Sequence, residues 1–201
     1  MQRLLLPLVL GLLAANLGAS TVDLTPRYLE TEVDGHKSRR LYFLEEKRKI
    51  GLSLDQETVV AVEAAGVIFR FPKLPDTSFK IATSPLTPED AMSEAEVLKR
   101  YRAAALAFVP VGATEAKVVE EVTDPLPINH WESHRFLVSY QAGANVMRLG
   151  VTFLNVNPKS QLVLITSASP RAFNEAADRS FQIIRSWHEI LPGDIATTRG
   201  N

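Results

Sequence analysis

The chain has 201 residues, a formal net charge of −1 and no cysteine. Without a thiol, cysteine nucleophiles, cysteine-ligated zinc and iron–sulfur clusters are excluded, and the balanced charge gives no global field toward nucleic acid or anionic lipid. The length is enough for one domain whose core needs no disulfide staples.

The first twenty residues read as a secretory signal peptide. Arg3 supplies a positive charge, Leu4 to Leu13 is an apolar run broken only by Pro7 and Gly11, and small residues follow at Gly18, Ala19 and Ser20. The run is about half the roughly 20 apolar residues that a bilayer span takes. It lacks the polar positions at helical spacing that a core helix would show. Leu17-Gly18-Ala19-Ser20 has the form of the box that precedes a lipid-modified cysteine, but Ser20 has no thiol to acylate. The expectation is an exported chain, periplasmic or secreted, with a signal over 1–20, one domain over 21–192 and a flexible tail over 193–201.

Residues 21–26 read as a loose mature terminus. Arg27 to Val33 alternates and meets Asp34-Gly35, a hairpin signal because the favoured turn needs positive φ at both central residues. The return strand takes in Leu41, Phe43 and Ile50, interrupted by the charged run Glu45 to Lys49, a solvated turn. Thr58 to Glu63 and Val67 to Phe71, with Gly66 between them, form two strands or one bent strand, and Phe79 to Thr83 forms another. Thr87-Pro88-Glu89-Asp90 opens a helix that runs to Ala107, with Met92, Ala95, Leu98, Arg102, Ala105 and Leu106 at near-helical spacing. Glu115 to Val122 alternates weakly, and Pro125 and Pro127 mark an irregular crossing. Three strong strands follow at His134 to Gln141, Val146 to Val156 and Gln161 to Ala168, joined by short turns that imply an antiparallel meander. Ser169-Pro170 caps a final helix carrying Phe173, Ala177, Phe181, Ile184 and Trp187 on one face, and Pro192-Gly193 ends it.

The sum is an α+β domain, a sizeable and largely antiparallel sheet covered by two main helices in a layered sandwich. Its C-terminal block consists of His134-Arg135-Phe136-Leu137-Val138-Ser139-Tyr140, Arg148-Leu149-Gly150-Val151-Thr152-Phe153-Leu154, Gln161-Leu162-Val163-Leu164-Ile165-Thr166 and the helix from Phe173 to Trp187. This block, about a third of the chain, resembles the PsbP-like fold. The resemblance lies in strands, turns and a closing helix rather than in a chemical motif. It implies small exported or lumenal proteins that mostly bind other proteins, and it carries no ligand-binding position over to this chain.

Chemistry is sparse. His130, Glu132 and His134 would share one face if the segment is extended, and imidazole and carboxylate are competent zinc ligands. Alternate strand residues lie roughly 6 to 7 Å apart, so a neighbouring strand would have to complete such a site. The plainer reading is a strand edge with solvated histidines and an anchoring Trp131. Ser139, Ser167, Ser169 and Ser180 lack a Gly-x-Ser-x-Gly elbow. His36 and His188 read as boundary residues, and Lys37, Arg39 and Arg40 as a solvated strand end. Glu120 and Glu121 would face opposite sides of a strand. No catalytic set and no cofactor are assigned. The leading expectation is a non-enzymatic interaction domain whose partner is another protein, with no nucleic acid. The alternatives are a small-ligand binder using a cleft beside the alanine-rich helix from Ala91 to Ala107, and a metal-dependent hydrolase centred on His130, Glu132 and His134.

Overall fold

The computed structural model describes residues 22–33, 36–63, 66–84, 93–125, 129–157 and 160–191. The signal segment, the Asp34-Gly35 turn, the Thr87-Pro88 helix start and the tail lie outside the described residues. In chain order the elements are β1 (Val22–Val33), β2 (His36–Glu45), β3 (Arg48–Leu52), β4 (Val59–Glu63), β5 (Gly66–Arg70) and β6 (Ser78–Thr83), then α1 (Glu94–Ala107). After it come β7 (Thr114–Thr123), β8 (Ser133–Ala142), β9 (Asn145–Asn157), β10 (Ser160–Ala168), α2 (Phe173–Arg185) and β11 (His188–Glu189).

The strands form two sheets, not the single sheet expected. A four-stranded sheet runs β1-β2-β3-β11, and a seven-stranded sheet runs β4-β5-β6-β10-β9-β8-β7. Every pairing is antiparallel. The division follows from burial. Leu41, Phe43, Ile50 and Leu52 alternate along β2 and β3 and join Phe69, Phe79, Ile81, Leu162 and Ile184 in one core. An apolar face of that size on the first sheet has to be covered. Residues 22–26 are part of this sheet and not a loose terminus, because Val22 and Leu24 are buried in the same core. Glu46 and Lys47 form the turn in the charged run, whereas Glu45 is buried and accepts from Asn157 Nδ2 at 2.8 Å.

At the irregularity in β1, Asp23 accepts from the Thr25 N–H at 3.0 Å and from Arg27 at 2.7 Å. The Thr25 hydroxyl first, then Arg27 and then the Thr25 N–H hold its carboxyl down at about 2. A depressed carboxyl stabilises the fold above its unfolded value, and that contribution is lost as pH falls from the ordinary 3.8 toward about 2. The side chain is 46% exposed, so the contribution is under about 1 kcal/mol. Asp23→Asn is expected to lower the melting temperature slightly at pH 7 and to match the parent at pH 2. An equal deficit at both pH values would show that the ionised carboxylate is not what matters.

The large sheet is covered on both faces. On one face, Tyr101 and Ala105 of α1 pack on Phe136, Val138, Leu149, Val151, Phe153 and Val163. The described helix starts at Glu94, where the Glu96 carboxylate accepts from the Ser93 N–H at 3.0 Å and from its hydroxyl at 2.6 Å, closing the chain onto the first turn. The other face carries α2 and the small sheet. Ser169 does not cap α2. Its carbonyl accepts the Ala172 N–H at 3.1 Å in a preceding turn, and Ala172 is the N-cap. The helix ends at Arg185 rather than at Pro192, so Trp187 lies beyond it, buried 6.1 Å from Phe43 between ring centroids.

The buried stripe of α2 is Phe173, Ala176, Ser180, Ile183 and Ile184, so the helix is rotated from the predicted face and Phe181 is only half-buried. Ile184→Ala is therefore expected to cost about 2 to 5 kcal/mol. Phe181→Ala should cost less than the 3 to 5 kcal/mol of a fully buried ring, about 2 kcal/mol. Urea unfolding of the two variants checks the order, and the reverse order would put the helix back on the predicted face.

Candidate functional site

The structure separates the three candidate metal ligands. Asn129 and His130 have φ of 49° and 58°, in the left-handed region, so the chain turns there and the strand begins only at Ser133. The shared face expected of an extended segment is lost. His130 and Glu132 are exposed, while His134 turns to the α1 side and packs on Tyr101, 5.2 Å between ring centroids. Among the described residues no group of three or more His, Asp or Glu is placed to hold a metal ion. Trp131 is the anchor expected, edge-on to Trp187 at 5.9 Å. Glu120 and Glu121 do face opposite sides: Glu120 accepts from Arg135 at 2.9 Å, and Glu121 from Arg102 of α1. His188 lies on β11 opposite Gly51, not on a helix.

Beneath α1 lies a polar seam that periodicity does not reveal. Gln161 Nε2 donates to the Tyr101 hydroxyl at 2.7 Å and to Asn155 Oδ1 at 2.8 Å. Tyr101 stacks on Phe153 at 4.7 Å. Burial pushes the Tyr101 hydroxyl up from its ordinary value. Ser133 Oγ, His134 Nδ1 and Gln161 Oε1 are buried with no hydrogen-bond partner among the described residues.

The open site is on the opposite face. Pairing registers lay out three rows across β8, β9 and β10: Arg135–Thr152–Leu164, Leu137–Gly150–Thr166 and Ser139–Arg148–Ala168. These side chains all point toward α2, because alternate strand residues share a face. Gly150 sits at the centre of the grid. A Cβ there would lie 3.0 Å from Phe173 Cζ, so the missing side chain is what seats the first turn of α2. The helix then follows β10, with Thr166 Oγ1 donating to Ser180 Oγ at 3.0 Å.

This placement leaves β8 and β9 bare beside the helix, and the gap is a cleft of about 370 Å³. Phe79, Leu164, Phe181 and Ile184 make its depth apolar, and Glu120, Arg135, Arg148 and Asp178 bring charge to its lining. Arg135 is paired with Glu120. Arg148 is half-buried and has no ion-pair partner among the described residues. The serine in the lining is not poised for attack, since the Ser180 hydroxyl donates to the Ala176 carbonyl at 2.7 Å and meets no base. The geometry suits retention of a ligand, with an apolar body inside and a few placed polar groups.

The cleft is not where the alanine-rich helix predicted one. Ala105 is fully buried in the α1 core, so small residues there mean close packing. The signal in the sequence was Arg148-x-Gly150-x-Thr152, polar and small residues at alternate positions of a strand otherwise rich in apolar ones.

No protein-family model matches the chain, and no curated protein matches it in sequence. Solved structures do resemble it. LpqN, involved in cell envelope biogenesis of Mycobacterium tuberculosis, superposes with a TM-score of 0.51 at 11% identity, over 83% of this chain and 92% of LpqN. Cyanobacterial PsbP from Synechocystis gives 0.46 at 12% identity, over 87% and 96%. PA94 from Pseudomonas aeruginosa gives 0.42 at 12%, over 83% and 97%. The likeness to LpqN is one of fold alone, and this chain is an α+β sandwich of antiparallel sheets and two helices. Among the described residues no helix is long and apolar enough to cross a membrane.

Proposed function

We propose that the chain is an exported, non-enzymatic binding domain, and that the cleft between α2 and the β8–β9 face is where it binds. The cleft itself carries this reading. At about 370 Å³ it falls within the roughly 300 to 1,000 Å³ of small-molecule sites. Its lining offers contacts and orientation without a nucleophile held by a base. Export rests on the order of charge, apolar run and small residues in positions 1–20. Native mass spectrometry of protein recovered gently from its own envelope tests the proposal. A bound species released by Ala177→Trp, which fills the cleft from α2, is the expected result. A ligand-free mass spectrum, together with turnover of a substrate by the purified chain, would overturn it.

A protein partner is the second reading, favoured by the edge strand β4. Its sequence, Val59 to Glu63, has no proline or lysine to guard it, and Val59 and Val62 are 51% and 66% exposed. An extended segment of a partner could add to that edge. Cross-linking in the native envelope should then give a product that Val62→Lys abolishes. A product unaffected by that change would remove β4 from the interface.

A further inference from the structure

We propose that the cleft takes a small carboxylate with an unbranched apolar body, a medium-chain fatty acid in chemical class, and that Arg148 holds its carboxylate. The inference deepens the ligand-binding reading and rests on it. Arg148 is a cation drawn halfway into the protein, in the lining of a cleft, with no carboxylate of this chain in ion-pair reach among the described residues. A guanidinium so placed favours a planar anion that accepts two parallel bonds. The two acids in the lining do not answer it. Glu120 is neutralised by Arg135 at 2.9 Å, and Asp178 is on the exposed side of α2, where solvent screens it.

Away from Arg148 the lining changes character. Phe79, Leu164 and Ile184 are buried core side chains that also face the cleft, and Phe181 closes it from the helix. Arg148 and Thr152 are separated along β9 by roughly 13 Å at the usual strand rise, room for an extended chain of moderate length. Thr152 is 7% exposed and lines the cleft. Its hydroxyl is a polar group on that wall that can meet ordered water or a ligand atom.

The test uses the mature chain with four probes: decanoate, methyl decanoate, decyltrimethylammonium and N-acetyl-trileucine. Binding is followed by calorimetry and by amide chemical shifts at Arg148, Gly150 and Thr152. Decanoate is expected to bind saturably and to move those amides. Methyl decanoate, which keeps the chain and loses the charge, should bind about tenfold more weakly. The cation should not bind. Arg148→Gln should weaken decanoate by a similar factor and leave methyl decanoate unchanged. If that variant fails to fold, the comparison of acid with ester on the unaltered chain decides the matter alone. Equal binding of acid and ester, or decanoate binding indifferent to Arg148→Gln, overturns the carboxylate assignment while leaving the cleft a ligand site. Tighter binding of the peptide overturns the fatty-acid class. Silence from every probe overturns this inference, and the broader reading falls with it only if protein from the native envelope also carries no ligand.

Discussion

Replacing Phe153 by alanine is expected to cost about 3 to 5 kcal/mol, a large share of the roughly 5 to 15 kcal/mol that holds a domain together. Phe153 is 1% exposed, on the third strand from one end of the large sheet, paired across to His134 and Val163. Its ring is the platform for α1: it stacks on Tyr101 with planes 9° apart and stands edge-on to Phe136 at 6.1 Å. Alanine there removes the area, opens a cavity and breaks two aromatic contacts together. Urea unfolding at neutral pH should show the midpoint falling with an unchanged slope. A loss below about 1 kcal/mol would mean that α1 does not depend on this platform.

The second large effect comes from adding a single methyl. Gly66 opens β5 opposite Ala82 of β6, and a Cβ at that position would lie 2.1 Å from the Ile81 carbonyl oxygen and 2.8 Å from Ala82 Cα. Those atoms are backbone and cannot swing away, so Gly66→Ala has to push β5 from β6. Substituting glycine where the backbone permits it usually stabilises by about 0.4 to 1 kcal/mol. Here the expected change is a loss of about 3 kcal/mol or more, from overpacking and a broken ladder. Gly143 is the control. Its φ of +61° disfavours alanine, but nothing lies within 4 Å of the added Cβ, so Gly143→Ala should cost only about 1 kcal/mol. Thermal melts of the two variants should rank in that order, and a Gly66→Ala protein as stable as its parent would contradict the strand spacing.

The meander β8–β9–β10 was legible because long β-branched alternation and two-residue turns are local signals. The rotation of α2 was not. Spacings of three and four admit either Phe173-Ala177-Phe181-Ile184 or Phe173-Ala176-Ser180-Ile183, and a serine counts as polar until its partners are known. Ser180 is buried because Ala176 and Thr166 satisfy its hydroxyl. At α1, Thr87 and Ser93 both head a plausible first turn, and only the Ser93–Glu96 contacts distinguish the start of the described helix. The metal hypothesis required His130 to be extended, and a left-handed pair of residues leaves no trace in periodicity. The cleft belongs to register: Arg135, Gly150 and Thr166 come from three strands, and nothing in any one strand says they share a surface.

The shortest strand has the longest reach in time. β11 closes the sheet that β1, β2 and β3 begin, with His188 opposite Gly51 and the Ile190 N–H donating to the Lys49 carbonyl at 2.8 Å. The Ser53 N–H, at the end of that sheet, donates to Ser186 Oγ at 2.7 Å, and Trp187 packs on Phe43. The sheet that β1 begins therefore cannot be finished until the residues after α2 have been made. Contacts so distant in sequence form slowly, because the whole intervening loop must be closed first. A chain released or cut before Trp187 would carry an unsealed apolar face and an unpaired β3 edge into solution, a target for proteases and for aggregation. The same late closure leaves the first sheet open until the residues after α2 emerge.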